Sequence, residues 1–297
     1  MQDLENYYNS ISDYLKKKFG GKVIKLSIDG GFTCPNRDGT AGYGGCAFCS
    51  SEGSGEFSSD IDGQIELLSR KWPNAAGYIA YFQNHTNTYA PVPELREKFY
   101  GALENPKICG LAVSTRPDCI SDEVADLLGE INEKHFLWVE LGLQTIHPRT
   151  REAMNLCSGL SDFEEALRRL NERNIKTVVH VILGLPGESR NDMIETVSYL
   201  SDKKIFGIKL HLLNVVKGSP LYEQMPDYIP FGSMDDYISL VADIIGIIPP
   251  EVTIHRLTGD AKRSILVSPW WSYKKRTILN GIHAELKRRN IKQGGSI

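Results

Sequence analysis

Six strand-like runs alternating with amphipathic stretches predict an α/β protein with a parallel sheet. Parallel neighbours need long crossover connections, and helices supply them along the right-handed path. The strand-like runs occupy residues 23–28, 78–82, 108–114, 136–143, 177–183 and 205–213. Stretches with apolar residues at helical spacing fall between them, at 61–72, 92–103, 122–131, 162–173 and 192–203. The segment Ser161-Asp-Phe-Glu164 reads as a capping box opening the fourth of these helices. A chain of 297 residues, 41% hydrophobic, can bury one large core, and α/β barrels commonly fill such a length with a single domain. Periodicity alone leaves an open doubly wound sheet as the alternative to a partial barrel. A Pro/Gly-rich stretch at 218–232 divides the chain into residues 1–217 and a C-terminal extension, 218–297.

Composition narrows the class. No run approaches the roughly 18 apolar residues needed to span a bilayer. The start, MQDLENYYNS, has neither a basic n-region nor an apolar h-region, so no secretory signal is expected. Six cysteines spread over the chain do not make a secreted disulfide framework, and a cytoplasmic, non-membrane protein is expected. The net charge of −3 hides an asymmetry: from Glu251 onward there are ten Lys/Arg against three Asp/Glu, a net of +7, which leaves −10 for the rest. Trp270, Trp271 and Tyr273 are interleaved with these cations. Basic side chains bind phosphates and aromatic faces take unstacked bases, so the combination suits RNA. The alternative is a solvated basic helix over a core: Ile278, Leu279, Ile282 and Leu286 give an apolar stripe at helical spacing.

Cys34, Cys46 and Cys49 share a glycine-dense segment, GFTCPNRDGTAGYGGCAFCSSEG, directly after the first strand. Cys46 and Cys49 form a two-residue clip, and eleven residues separate Cys34 from Cys46. Three thiolates with no fourth nearby suggest a cubane iron–sulfur cluster with one iron left free for chemistry. A zinc knuckle and three unligated thiols are the alternatives. Zinc usually takes four ligands, and the nearest further candidate, His85, lies 36 residues past Cys49. Cys109, Cys119 and Cys157 lack paired spacing and read as structural thiols, with a second cluster as the alternative.

The cysteine segment resembles that of the radical S-adenosylmethionine (radical SAM) superfamily, whose usual spacing is three residues and then two. Eleven and two is similar to the branch containing the Elongator catalytic subunit, and more closely to the bacterial YhcC/YtqA family. The resemblance is carried in order by FGGKVIKLSIDGGFTCPNRDGT, YFQNHTNTYAP, STRPDCI, WVELGLQT, HVILGLPGE, IKLHLLNVVKGSPLY and IHRLTGDAKR. It implies a partial (βα)6 TIM-like barrel with a C-terminal basic α/β extension. It also implies a [4Fe-4S] cluster on Cys34, Cys46 and Cys49, with S-adenosyl-L-methionine on the open iron and Phe48 shielding the cluster.

In parallel barrels the chemistry sits at the C-terminal ends of strands. Relatives carry a Gly-Gly-Glu-like element after strand two; this chain departs from it, and Gln83 stands in that neighbourhood. Ser114 and Arg116 end strand three, where relatives often place a carboxylate for the ribose. Glu140 and Gln144 are four apart on strand four, so simple alternation puts them on one face. His180 precedes a Val-Ile-Leu-Gly-Leu-Pro-Gly run, including Leu183, similar to the element that packs on adenine. Leu213, at the end of strand six, completes the expected cofactor contacts. Each has a structural alternative: loop caps for Glu140 and Gln144, a satisfied core histidine for His180, a salt bridge for Arg116.

By resemblance the substrate is tRNA. The Elongator-like branch points to wobble uridine, and the lack of an acetyltransferase domain argues for remodelling an existing side chain, from 5-carboxymethylaminomethyl- to 5-aminomethyluridine. Lys217, Arg256, Lys262 and Arg263 are candidates for phosphate or carboxylate contacts, with salt bridges as their alternative. A flavodoxin or ferredoxin reductant and a downstream tRNA methyltransferase are the further expected partners. A radical SAM enzyme for a small metabolite, and a zinc-stabilised RNA-binding protein without redox chemistry, are the competing readings.

Overall fold

The computed structural model describes residues 7–50 and 60–295. Residues 1–6, at the start read for a secretory signal, and 51–53, which end the cysteine segment, lie outside the described residues. Helix α1 (Ile11–Phe19) is capped by Ser10, whose side chain accepts from the Asp13 amide, and it ends at Gly20 with φ 74°. A left-handed residue after the last turn is the usual way to satisfy its open carbonyls.

Six strands then follow in sheet order, all parallel: β1 (Val23–Ile28), β2 (Gly77–Phe82), β3 (Ile108–Thr115), β4 (Phe136–Gln144), β5 (Lys176–Leu183) and β6 (Gly207–Leu212). The crossovers are α2 (Ile61–Lys71), α3 (Val92–Leu103), α4 (Asp122–Lys134), the pair α5 (Pro148–Ala153) and α6 (Leu160–Glu172), and α7 (Arg190–Ser201). After β6 come β7 (Val215–Val216), α8 (Pro220–Gln224), α9 (Met234–Ile247), β8 (Thr253–Arg256), β9 (Leu266–Ser268) and α10 (Lys275–Arg289). Strand β8 pairs in parallel with β6 and adds a seventh strand to the six expected, closing a half-barrel. Its four residues, Thr-Ile-His-Arg, are too short and too polar to stand out as a strand. Strands β7 and β9 make a separate antiparallel ribbon.

Alternation along the strands sorts their side chains into two sets. Leu26, Ala80, Val113, Val139, Val179 and Leu210 face the helices in the main core. Ile79, Ala112, Trp138 and Val178 face inward and pack with Leu15 of α1. Tyr14 of α1 stacks on Phe136 at 6.2 Å and meets Phe206 edge-on at 5.0 Å, both at strand starts. The N-terminal end of the half-barrel is thus sealed with apolar side chains, which leaves polar chemistry to the other end.

The C-terminal region is part of the same core. Ile278, Ile282 and Leu286 of α10 are fully buried in the same cluster as the apolar side of α9. Leu279 is partly buried there, so the stripe predicted for this helix faces inward. Among the described residues no helix is long and apolar enough to cross a membrane.

Gly110, inside β3, shows how closely the strands pack. A Cβ there would lie 2.6 Å from the backbone oxygen of Phe136 and 2.9 Å from Ile79 Cδ1. Backbone cannot yield as a side-chain tip can. Gly110→Ala is therefore expected to lower unfolding stability by about 1–3 kcal/mol in urea titrations, the usual cost of overpacking. An unchanged midpoint would contradict the close approach.

Candidate functional site

The cysteine segment leaves β1 and is tied down by its own backbone. The Cys34 carbonyl accepts from the amides of Arg37 at 2.8 Å and Asp38 at 3.2 Å, and the Cys49 amide donates to the Cys46 carbonyl at 2.9 Å. Two asparagines staple the loop to the rest of the chain. Asn36, fully buried, donates through Nδ2 to the Asn155 carbonyl at 2.6 Å and faces Cys46 Sγ at 3.6 Å. Asn155, in the left-handed region at φ 52°, donates back to the carbonyls of Tyr43 at 3.0 Å and Gly45 at 2.8 Å. A Cβ on Gly42 would meet Asn36 Oδ1 at 2.5 Å and Cys157 Sγ at 2.6 Å, so this position requires glycine. Cys157 is thereby placed beside the loop, donating to Asn36 Oδ1 at 2.7 Å.

Cys34, Cys46 and Cys49 all line one cavity of about 280 Å³ at the C-terminal ends of the strands. The donor set is three thiols, the soft ligands that iron–sulfur clusters and zinc take. A hydrogen bond from Cys49, then Asn36 and the charges of Arg116 and Arg37, bring the Cys46 thiol down to about 7 against its burial. A hydrogen bond to Cys46, with burial, pushes Cys49 up. A single tetrahedral zinc would hold its sulfurs about 3.8 Å apart, given Zn–S near 2.3 Å. Among the described residues, the triad of ligand atoms mutually within 4.8 Å is His147, Asp192 and Glu195, and no cysteine belongs to it. Three cysteine donors lining one cavity suit a cluster with one open iron better than a closed four-ligand zinc site.

The cavity lining carries an excess of cations. It holds Arg37, Arg116, Arg151, Lys209 and Arg256 against one acid, Asp260. Arg116 is clamped by Asp118 through Nε at 2.9 Å and a second nitrogen at 2.7 Å. Arg151 spends one nitrogen on the carbonyls of Leu143 at 2.9 Å and Thr145 at 2.7 Å. Such a lining suits anionic contents, including a thiolate-bound cluster.

Beneath the cavity floor lies Glu140, fully buried. Tyr81 donates to it at 2.6 Å, Trp138 Nε1 at 2.9 Å and His180 Nε2 at 2.7 Å, and the ammonium of Lys209, itself 1% exposed, makes a further short contact. Burial alone would raise the Glu140 carboxyl; Lys209, the His180 hydrogen bond and Lys25 hold it well below the usual range instead. Burial and the Lys209 charge depress His180 to about 4, so its contact with Glu140 is a neutral hydrogen bond and not an ion pair at neutral pH. Parallel register builds this group: Ser114 pairs with Glu140, His180 with Lys209, and Lys209 with Arg256 across a bulge between β6 and β8.

Of the residues singled out from sequence, Phe48, Gln83, Ser114, Arg116, Gln144, His180, Leu213 and Arg256 line the cavity with the cysteines. Gln144 arrives by a bulge in β4, with φ 68°, and its amide packs where a side chain on Gly142 would be. Glu140 supports the floor without lining it. Leu183 sits in the main core on the helix side, and its neighbour Ile182 lines the cavity in its place. Lys217 is exposed and lies, with Lys262 and Arg263, outside the lining. The Arg263 guanidinium lies over the rings of Tyr273 at 4.8 Å and Trp270 at 5.8 Å, and Trp270 is 54% exposed. Trp271 packs against the core. Lys209, His211, Asn36, Asn214 and Tyr81 also belong to the site, though no motif spacing points to them. Strand parity gives the signal for Lys209 and His211, which alternate with Ile208, Leu210 and Leu212 of the core.

The depressed histidine has a pH signature. Between its ordinary 6.5 and about 4, the unfolded chain binds the proton that folded His180 refuses, so stability falls as pH drops below 6.5. Burial lowers His211 and His255 too, in the same direction. From neutrality to about pH 5 the His180 share of the loss is roughly 2 kcal/mol. Urea unfolding should show this loss, and His180→Gln, which keeps a donor for Glu140, should flatten the profile by that amount. A variant profile as steep as that of the parent would contradict the buried neutral imidazole.

Comparison with known proteins agrees with this geometry. The radical SAM superfamily model matches residues 34–200, and the radical SAM C-terminal domain model matches residues 205–288. The uncharacterized protein YtqA of Bacillus subtilis is 43% identical over 98% of this chain and 92% of its own length. Protein YhcC of Escherichia coli is 36% identical over 99% of this chain and 96% of its own. A tRNA uridine(34) acetyltransferase of Dehalococcoides mccartyi is 31% identical over 51% of this chain, which spans 33% of that protein. The solved structure of the archaeal Methanocaldococcus infernus Elp3 superposes with a TM-score of 0.66 at 16% identity, covering 91% of this chain and 64% of that one, and so shows the shared fold. Half-barrel, cysteine-lined cavity and full-length similarity converge: the chain is a radical SAM protein of the YtqA/YhcC family, related to the Elongator Elp3 branch, and that superfamily's cofactors are a [4Fe-4S] cluster and S-adenosylmethionine.

Proposed function

We propose that this radical SAM enzyme acts on tRNA, remodelling the C5 side chain of the wobble uridine from the 5-carboxymethylaminomethyl to the 5-aminomethyl form. The observation that carries the reading is the three-cysteine cavity whose lining holds five Lys/Arg against one acid; even with Asp118 on Arg116 and Glu140 on Lys209 counted, cations are in excess, a balance suited to an anionic substrate beside the cofactors. Relationship to a tRNA uridine(34) acetyltransferase supports uridine 34 as the position. Exposed Trp270, flanked by Arg263 and Lys274, offers a base a stacking surface.

Cys34, Cys46 and Cys49 would hold the cluster, and Gln83, Ser114, Arg116, Gln144, His180 and Leu213 line the space available to SAM. When bound, these cofactors supply a 5′-deoxyadenosyl radical, a hydrogen-abstracting agent. The chain's own residues bind, orient and exclude. Phe48, between the paired cysteines and packed with Ala47 and Leu213, keeps water from the sulfurs. The fixed floor of Glu140, Lys209 and His180 holds the cavity wall in one geometry, as orienting a reactive carbon requires. Abstraction of a hydrogen atom from the glycine-derived methylene would leave a carbon radical; return of its electron to the cluster and loss of the N–H proton to solvent would give an imine, which water splits into the 5-aminomethyl group and glyoxylate.

The test is anaerobic reconstitution with iron and sulfide, then dithionite, SAM and tRNA bearing the carboxymethylaminomethyl group. Deuterium on that methylene should appear in 5′-deoxyadenosine, with 5-aminomethyluridine found in the digested tRNA. Cys46→Ala should lose both products along with the iron. Formation of 5′-deoxyadenosine that tRNA never stimulates or labels would favour a small-metabolite substrate.

A further inference from the structure

One corner of the cationic lining holds three polar residues that the cofactor assignment does not use. It lies on β6 and β8, at the opposite edge of the sheet from β1 and its cysteines. Arg256, His211 and Asn214 line the cavity there. His211 Nε2 and Asn214 Oδ1 are both out of solvent, and neither has a hydrogen-bond partner. Buried polar atoms are normally paired, so two orphans in one cavity wall mark a place where a ligand supplies the partners.

Charge points to the kind of ligand. The charges of Lys25, Lys209 and Arg256 all act on one another in this interior, and Glu140 is the carboxylate that answers them. Arg256 shares Asp260, at 3.6 Å, with Lys275, whose ammonium lies closer to that carboxylate. Cations therefore outnumber anions around the corner, and a guanidinium is the side chain best shaped to take a carboxylate by two parallel bonds. The orphan oxygen of Asn214 calls for a different group, an N–H donor. A donor-rich point and an acceptor beside it describe a glycine unit: a carboxylate with an amine one carbon away.

We propose that Arg256, His211 and Asn214 form a subsite for an N-substituted glycine group of the substrate, with Arg256 and His211 taking its carboxylate and Asn214 Oδ1 accepting from its amine. This deepens the uridine reading, whose side chain ends in such a group, and rests on it only for the identity of the whole substrate. The methionyl part of SAM offers the same chemistry, and competition separates the two sources.

The experiment follows the imidazole carbon signal of His211 by NMR in the anaerobically reconstituted holoenzyme saturated with SAM. Glycinate and N-methylglycinate should shift it saturably, and glycinamide should bind at least about tenfold more weakly, the usual loss when a paired charge is removed. Arg256→Gln should abolish the preference for the acid, and Arg256→Lys should restore part of it, with the rest of the spectrum unchanged. Equal responses to acid and amide, or none to either, would overturn the subsite, and the unsubstituted protein alone suffices to show this. Glycinate binding seen without SAM but lost on its addition would assign the corner to SAM's own carboxylate and likewise overturn it. The uridine reading is tested separately with 5-carboxymethylaminomethyluridine and its carboxamide. A glycinate response without any nucleoside response would leave the subsite standing and sink that substrate.

Discussion

A carboxylate sealed inside the half-barrel governs the interior of this protein. Glu140 is held ionised without access to water, and removing one partner of such a group typically costs about 3–5 kcal/mol, because the other is left buried and unpaired. Tyr81 from β2, Trp138 from β4, His180 from β5 and Lys209 from β6 must all remain in register to satisfy it. The network thus spans four of the seven parallel strands and fixes the floor on which the cavity stands. Apolar packing seals one end of the barrel through α1; the satisfied charge group sits between that seal and the open end.

The cysteine loop depends on the frame but is stapled to it by different means. Asn36 and Asn155 bind the loop to the turn after α5, and the Ala47 amide donates to the Met154 carbonyl at 2.9 Å. The segment from 147 to 157 therefore supports the cluster ligands from outside the motif that contains them. The eleven-residue interval between Cys34 and Cys46 closes back on itself instead of spanning distance: the Gly45 amide donates to the Asn36 carbonyl at 2.8 Å. This is why the unusual interval is compatible with three thiols facing one cavity.

Much of this architecture is legible in the sequence. Six of the seven sheet strands and the crossover helices other than the short α5 follow from apolar runs and helical spacing, since a strand covered by helices must be rich in Val, Ile and Leu. The three cysteines announce themselves by spacing. Strand β8 does not, because four residues carry too little periodicity and its place is set by pairing with β6. Glu140 and Gln144 are expected on one face; a bulge with a left-handed Gln144, which no alternation rule foresees, brings the amide to the cavity and leaves the carboxylate below it. Lys209 is hidden because a lysine in a strand ordinarily signals an exposed face. Its burial becomes intelligible only once Glu140 is seen opposite. Arg256 stands out by tail charge, yet Lys217, Lys262 and Arg263 lie outside the cavity, since charge counts do not say which way a side chain turns.

Radical chemistry in this protein requires a cluster with one iron open to SAM. Electron paramagnetic resonance of the dithionite-reduced, reconstituted protein tests this directly. A reduced [4Fe-4S] signal whose g-values move on addition of SAM is the predicted result, because the ligand then joins the free iron. A stoichiometric zinc content with no such signal, or a cluster signal indifferent to SAM, would contradict it.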